Sequence, residues 1–117
     1  MQHETKSAPQ ALTQDNVVKT IAERIAQAYH PERTLLFGSR AKGLARADSD
    51  YDLLIVKETD VPRHKRAAPL FALLADLPVE VDILVYTPAE IRDWGNVKNA
   101  TVTRAIQEGI TIYERKA

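Results

Sequence analysis

Two short runs in the first half of the chain decide its fold: Leu36-Phe37-Gly38-Ser39-Arg40-Ala41-Lys42-Gly43 and Ser49-Asp50-Tyr51-Asp52-Leu53. The apolar residues before Gly38 predict a strand that ends in a Gly-Ser turn, and a short helix is expected after that turn. The second run begins another strand, in which side chains two residues apart point to the same face. Asp50 and Asp52 are therefore expected on one face, about 7 Å apart at the backbone.

A third carboxylate, Asp82, lies in the other strongly strand-like run, Val79 to Val85. An ionised carboxylate between apolar neighbours is costly unless a cation or a hydrogen-bond partner accompanies it. Each motif alone has an ordinary explanation, because aspartate is common in turns and Gly-Ser is a common strand-to-helix connection. Three acidic side chains on two strands beside such a turn make the ordinary explanation a poor one for the combination.

Asp50, Asp52 and Asp82 have the chemistry of a magnesium site. Magnesium prefers oxygen ligands, usually binds one or two carboxylates, and completes its shell with water and substrate phosphates. Two ions roughly 4 Å apart are typical of phosphoryl transfer, and a neighbouring carboxylate can accept the proton of an attacking hydroxyl. We therefore interpret the three aspartates as catalytic ligands of two Mg²⁺ ions, for which Mn²⁺ could substitute. The reaction that fits is metal-dependent nucleotidyl transfer.

The turn that precedes the aspartates is interpreted as a phosphate site. Gly38 and Ser39 would contact the phosphates through amides at a helix start, which favour anions. Arg40 and Lys42 follow immediately, where their charges could neutralise a bound nucleotide. Each of these two side chains is explained equally well by a solvated helix face. Their position after the turn favours nucleotide contact.

Two other phosphate-binding motifs are excluded by inspection. Gly38 and Gly43 have the glycine spacing of a P-loop, which requires Lys-Ser or Lys-Thr next, whereas this chain has Leu44-Ala45. The chain contains four glycines, and they do not form the G-x-G-x-x-G of a dinucleotide-binding turn.

In combination, these motifs resemble the nucleotidyltransferase superfamily of DNA polymerase beta. The resemblance rests on Gly38-Ser39, ten intervening residues, Asp50-Tyr51-Asp52 and the later Asp82. The stretch is most similar to the minimal branch of that superfamily, the MNT domains, and the resemblance covers residues 15 to 114. It implies a polymerase-beta-like fold in which the first two aspartates bind both metals. The third would bind one metal and help to activate the acceptor.

The resemblance also implies a biological role. MNT domains commonly pair, as antitoxins, with a helical HEPN protein. The expected reaction is transfer of AMP from ATP to a tyrosine hydroxyl of a HEPN toxin, which would silence the toxin. Two alternatives stay open: adenylylation of a small molecule, as in aminoglycoside-modifying relatives, and neutralisation of a toxin by binding without catalysis. Because the chain is short, the acceptor surface is expected from another protein, a second copy or the substrate itself.

Bulk composition is typical of one small domain. The chain has 117 residues, of which 44% are hydrophobic, and 16 basic residues balance 16 acidic ones. This balance argues against direct nucleic-acid binding as the main activity. The chain has no cysteine, which excludes thiolate ligands, and no apolar run near the ~20 residues of a membrane span. Without the apolar core of a signal peptide, a cytoplasmic location is expected.

The expected fold is α/β (α+β), with a small three- to four-stranded mixed sheet and packed helices. Residues 1–12 are expected to form a disordered tail, and 13–117 a single domain. Helices are predicted from Thr13 or Asp15 to Pro31, over 63–76 with Leu70 and Phe71 buried, from a capping box at Thr87 to Trp94, and over 101–108. Strands are predicted at 34–37, 50–56, 79–86 and 110–113.

Overall fold

One mixed sheet organises the residues that the computed structural model describes, 13–94 and 100–116. Its strands are β1 (Arg33–Phe37), β2 (Tyr51–Val56), β3 (Val81–Tyr86) and β4 (Ile110–Glu114). They lie in the order β3-β2-β1-β4. β1 pairs antiparallel with β2 and with β4, whereas β2 and β3 run parallel. The expected small mixed sheet is therefore confirmed, while the expected tail, residues 1–12, lies outside the described residues.

The helices pack on both faces of this sheet. They are α1 (Gln14–Tyr29), α2 (Arg63–Arg66), α3 (Ala68–Leu73), α4 (Pro88–Trp94) and α5 (Thr101–Glu108). α5 ends before Gly109, and β4 forms one edge of the sheet, as the sequence predicted. Within residues 13–94 and 100–116, each helix is too short or too polar to cross a membrane.

The amphipathic pattern of α1 determines both its ends and its buried face. The hydroxyl of Thr13 accepts a hydrogen bond from the Asn16 amide at 3.2 Å, which caps the first turn. Ile21 and Ile25 lie one turn apart and are fully buried. The helix ends at His30, whose φ of 53° is left-handed and terminates the helical hydrogen bonding.

Alternation along the strands divides the core into two apolar clusters, because successive side chains point to opposite faces of a sheet. The first cluster lies between the sheet and helices α1 and α3. Its strand residues include Leu36, Leu53, Ile55, Ile83 and Val85. The second cluster lies on the opposite face, where Leu35, Leu54 and Val56 pack against Val102 and Ala105 of α5. Asp52 and Asp82 alternate with the first cluster and therefore project from the second face.

The prediction of a single helix over 63–76 was wrong, because the chain forms two helices, α2 and α3, with a break at Ala67. Pro69 has no amide proton, and its ring would clash with the carbonyl four residues earlier in a continuous helix. A new helix therefore starts with proline in its first turn. The restart turns Leu70 inward and leaves Phe71, which was expected in the core, 42% exposed.

A partly buried ion pair between Arg66 and Glu90 ties α2 to α4. The guanidinium of Arg66 donates to both carboxylate oxygens of Glu90, at 2.7 and 3.2 Å, and to the carbonyls of Val61 and Val85. The hydrogen bond from Arg66 lowers the pKa of Glu90 below its usual value. Glu90 also accepts the Thr87 amide, while the Thr87 hydroxyl accepts the Glu90 amide, which confirms the predicted capping box. This network secures the carboxyl end of β3.

We expect Thr34→Val to stabilise the protein. Thr34 is fully buried in β1, and its hydroxyl has no hydrogen-bond partner among the described residues. An unpartnered buried hydroxyl costs about 1–3 kcal/mol, and valine has the same shape without it. Urea denaturation should show a free energy of unfolding raised by about 1 kcal/mol. Thr34→Ser, which keeps the hydroxyl and loses a methyl group, should be less stable than the native chain. A loss of stability in Thr34→Val would contradict the assignment.

Candidate active site

The register of the sheet brings two of the predicted aspartates together. Asp52 lies opposite Asp82 in the parallel β2–β3 pair and opposite Phe37 in the antiparallel β1–β2 pair. Because parallel strands begin at the same end of a sheet, both carboxylates, each near the start of its strand, lie at one end of the second face. Both line a pocket of about 620 Å³.

Asp50 lies one residue before β2 and is exposed. Burial raises the pKa of Asp52, and the negative charges of Asp82 and Asp50 raise it further. No group of three or more histidine, aspartate or glutamate side chains in residues 13–94 and 100–116 is arranged to hold a metal ion. The structure thus juxtaposes Asp52 with Asp82, while Asp50 contributes charge from the adjacent loop.

The chemistry of these side chains fits a divalent cation. The donors are carboxylate oxygens, which Mg²⁺ prefers, and a few protein ligands suffice when phosphates and water complete its shell. Burial raises the pKa of Asp52 most, and repulsion by Asp82 and Asp50, which a cation would relieve, raises it further. Ligation of metal by Asp50, Asp52 and Asp82 stays a prediction that these electrostatics support.

Gly38 places the Gly-Ser turn against the carboxylate of Asp52. Its φ is +75°, and a Cβ atom at this position would lie 2.1 Å from Oδ2 of Asp52. Only glycine permits this approach, both for the backbone angle and for the space. Gly38–Arg40 then form one turn of 3-10 helix. The first amides of a helical turn have no hydrogen-bond acceptor within the helix and can donate to a ligand. Phosphate contact by Gly38 and Ser39 stays a prediction that this geometry supports.

The two predicted cationic contacts are engaged with the protein itself. The guanidinium of Arg40 is buried and lies 3.9 Å from the ring centroid of Tyr51. The ammonium of Lys42 forms a salt bridge of 2.9 Å with Glu108 at the end of α5. Both residues follow the turn as expected, but each side chain contacts other groups of the protein. Their contact with a nucleotide stays a prediction.

Sequence reasoning did not identify the apolar lining of the pocket beside the aspartates. Phe37, Leu84 and Tyr86 lie there with the first residues of α5. Alternation from Asp82 was the available signal, because it places residues 84 and 86 on the same face of β3. The contribution of α5 depends on tertiary packing and left no local signal.

A mixed sheet with paired aspartates beside a Gly-Ser turn is the arrangement of a nucleotidyltransferase. Residues 18–106 match the family model described as the nucleotidyltransferase domain, and the chain belongs to that family. No curated protein matches the chain.

Solved structures show the same fold. The chain is similar to a candidate nucleotidyltransferase from Sulfolobus solfataricus, with 24% identity and a TM-score of 0.61 over 94% of this chain and 89% of that one. It is similar to a toxin–antitoxin structure with AMP-PNP, at 18% identity and a TM-score of 0.58 over 84% and 74%. An MntA-HepT toxin–antitoxin structure matches at 16% identity and a TM-score of 0.57 over 87% and 74%. The expected fold class is thereby confirmed.

Gly38→Ala and Gly43→Ala form a matched pair that isolates the contact with Asp52. Both glycines have a positive φ, so alanine should cost about 1–2 kcal/mol of stability at each position. A Cβ on Gly43 would meet no atom within 4 Å, whereas a Cβ on Gly38 would collide with Asp52. We expect transferase activity to be lost only in Gly38→Ala, measured at a temperature where both variants are folded. Equal activities would contradict the importance of this contact.

Asp52→Asn should stabilise the metal-free protein near neutral pH. The folded state raises the pKa of Asp52, so its ionised form costs stability at pH values above that pKa. Below the unfolded-state pKa, about 3.9, both states are protonated and the cost disappears. In EDTA, the thermal midpoint of Asp52→Asn should exceed that of the native chain at pH 7, and the gap should close towards pH 3. A lower midpoint at pH 7 would refute the electrostatic interpretation.

Proposed function

We propose that this chain is a Mg²⁺-dependent adenylyltransferase that transfers AMP from ATP to a tyrosine hydroxyl of a partner HEPN toxin. In this role it is the toxin's antitoxin and acts in the cytoplasm. The observation that carries the proposal is the pairing of Asp52 with Asp82 beside Gly38. Membership of the nucleotidyltransferase family supports the reaction class.

In the proposed reaction, each site residue has one task. Asp50, Asp52 and Asp82 would hold two Mg²⁺ ions, for which Mn²⁺ could substitute, and bound metal supplies neutralisation of phosphate charge. The amides at Gly38 and Ser39 would bind the phosphates of ATP. Asp82 accepts the proton of the acceptor hydroxyl as its oxygen attacks the α-phosphorus. A new O–P bond forms, the bond to the β-phosphate oxygen breaks, and pyrophosphate leaves.

The fold of the solved toxin–antitoxin chains supports a protein acceptor. One of them is a structure with AMP-PNP, and others are described as MntA-HepT. A tyrosine ring needs an apolar surface next to the catalytic carboxylates. Phe37 and Leu84 offer such a surface in the pocket that Asp82 lines. A stable complex would bury more than about 1,000 Å², and a transient one less.

A small-molecule acceptor is the second candidate. Ligand pockets for small molecules typically measure about 300–1,000 Å³, and the pocket beside Asp82, about 620 Å³, falls in that range. An antitoxin that binds without catalysis is disfavoured, because binding alone would not require paired carboxylates beside a glycine.

The test is incubation of the chain with labelled ATP, Mg²⁺ and a HEPN partner, followed by mass analysis of both proteins. We expect label and the mass of AMP on a partner tyrosine. EDTA should abolish transfer because it removes the metal, and Asp52→Asn should abolish it because it removes one of the proposed ligands.

The same variants distinguish catalysis from binding in cells. The native chain should relieve toxicity of the partner, and a double Asp50→Asn, Asp52→Asn variant at equal expression should not. Full rescue by the double variant would favour a binding antitoxin. Label on an aminoglycoside or similar small molecule, with none on the partner, would favour the second candidate.

A further inference from the structure

Arg40 links the Gly-Ser turn to the peptide bond that precedes Asp50. It is the last residue of the 3-10 turn, and it is 8% exposed. Its Nε and Nη2 atoms both donate to the carbonyl oxygen of Ser49, at 3.0 and 2.8 Å. This carbonyl belongs to the peptide bond between Ser49 and Asp50. The guanidinium therefore fixes the peptide plane from which the Asp50 side chain starts.

Further contacts hold the same guanidinium on its other sides. Nη2 also donates to the carbonyls of Arg46 and Ala47, at 3.2 and 3.3 Å. Nη1 donates to Oε1 of Gln14 in α1 at 3.1 Å. The flat face stacks on Tyr51, which is 2% exposed between the two aspartates of the motif. One side chain thus joins α1, the turn, the loop 41–49 and β2.

The contacts of Arg40 require an arginine. All of these hydrogen-bond acceptors are neutral, and a buried cation without a carboxylate is costly unless its donors are well satisfied. The rigid fork of guanidinium allows two donors to meet one carbonyl while the plane stacks on a ring. A lysine ammonium has neither the plane nor the fork. The same engagement leaves little of the guanidinium available to bind a phosphate.

We propose that Arg40 is a positioning residue that holds Asp50 close to Asp52 and the Gly-Ser turn. The proposal rests on the proposed function in one respect, the role of Asp50 as a metal ligand. Asp50 precedes β2, and only the peptide bond on its carboxyl side is held at the sheet, where the Tyr51 amide donates to the Glu80 carbonyl at 2.9 Å. The peptide bond on the amino side of Asp50 belongs to the end of the loop 41–49, and Arg40 holds that loop against the turn. Without Arg40 the loop opens and the carboxylates bind metal less tightly.

The first measurement is hydrogen exchange in the absence of metal and nucleotide. The amides of Arg46 and Ser49 donate to acceptors within the loop, and the Leu44 amide donates to the Ser39 carbonyl in the turn. In Arg40→Met and Arg40→Lys they should exchange about tenfold faster or more, because local opening exposes them. Arg24→Met is the matched control, since Arg24 likewise joins α1 to a carbonyl, that of Leu73, and to Asp76. It should leave exchange in 44–49 unchanged.

The second measurement separates positioning from phosphate contact. Mn²⁺ affinity, followed by calorimetry, should weaken about fivefold or more in both Arg40 variants and by less than about twofold in Arg24→Met, since only Arg40 orders a ligand. ATP affinity in EDTA should stay within about twofold of native, because Arg40 donates to carbonyls and not to the nucleotide. Loss of ATP affinity in EDTA with normal Mn²⁺ affinity would overturn the proposal in favour of a phosphate contact.

Gln14→Met keeps the test decisive if the Arg40 variants do not fold. It removes one partner of the guanidinium and should accelerate exchange in 44–49 and weaken Mn²⁺ binding in the same direction, by smaller factors. Native exchange and native Mn²⁺ affinity in Gln14→Met, or in a folded Arg40→Lys, would overturn the positioning role. If the native chain binds neither Mn²⁺ nor ATP, the proposed function fails, while exchange in the loop still decides whether Arg40 holds it.

Discussion

Two like charges held side by side are the constraint on which the rest of the site depends. Asp52 and Asp82 are paired across parallel strands, and the strands cannot shift to separate them. A slip of β2 by one residue would turn Leu53 out of the first cluster and put the carboxylate of Asp52 into it, and a slip of β3 would do the same to Ile83 and Asp82. The apolar clusters therefore hold the carboxylates together against their repulsion, at the expense of stability that a cation would restore.

The surrounding structure secures this arrangement from both ends. At the carboxyl end of β3, the partly buried pair of Arg66 and Glu90 fixes α2 and α4 to the strand. At the near end, Gly38 lets the turn approach Asp52, and Arg40 closes the loop between them. Both buried arginines donate to backbone carbonyls, but Arg66 also pairs with a carboxylate, whereas Arg40 stacks on the ring of Tyr51.

Much of the site could be predicted because it follows from short-range rules. Asp52 and Asp82 were identified from their positions in two strand-like runs, although Asp82 is exposed and not buried. Asp50, which was predicted to share a strand and a face with Asp52, lies one residue before β2. The parallel pairing of β2 with β3 is a long-range event, so the register of Asp52 with Asp82 had no local signal. The contacts of Arg40 were missed for the same reason, because the carbonyls that accept its hydrogen bonds belong to a loop that approaches Arg40 only in the folded structure.

The prediction of one helix over 63–76 failed for a different reason. Apolar residues at helical spacing were given more weight than Pro69, although a proline within such a pattern breaks the hydrogen-bond ladder. Once the helix restarts, the inward face changes, and Phe71 becomes exposed where Leu70 is buried. The local sequence therefore contained the signal for the break, and the prediction gave that signal too little weight.

The closeness of Gly38 to Asp52 makes these two positions energetically coupled. A Cβ at position 38 would collide with the carboxylate but would lie 3.5 Å from the Asp52 Cβ, an ordinary contact. In a chain with alanine at position 52, alanine at 38 would face only the strain of its backbone angle. The costs of the two substitutions therefore do not add, and a double-mutant cycle between them measures the steric contact itself. Loss of the carboxylate at 52 therefore removes the steric reason for glycine at 38 and leaves only the reason of the backbone angle.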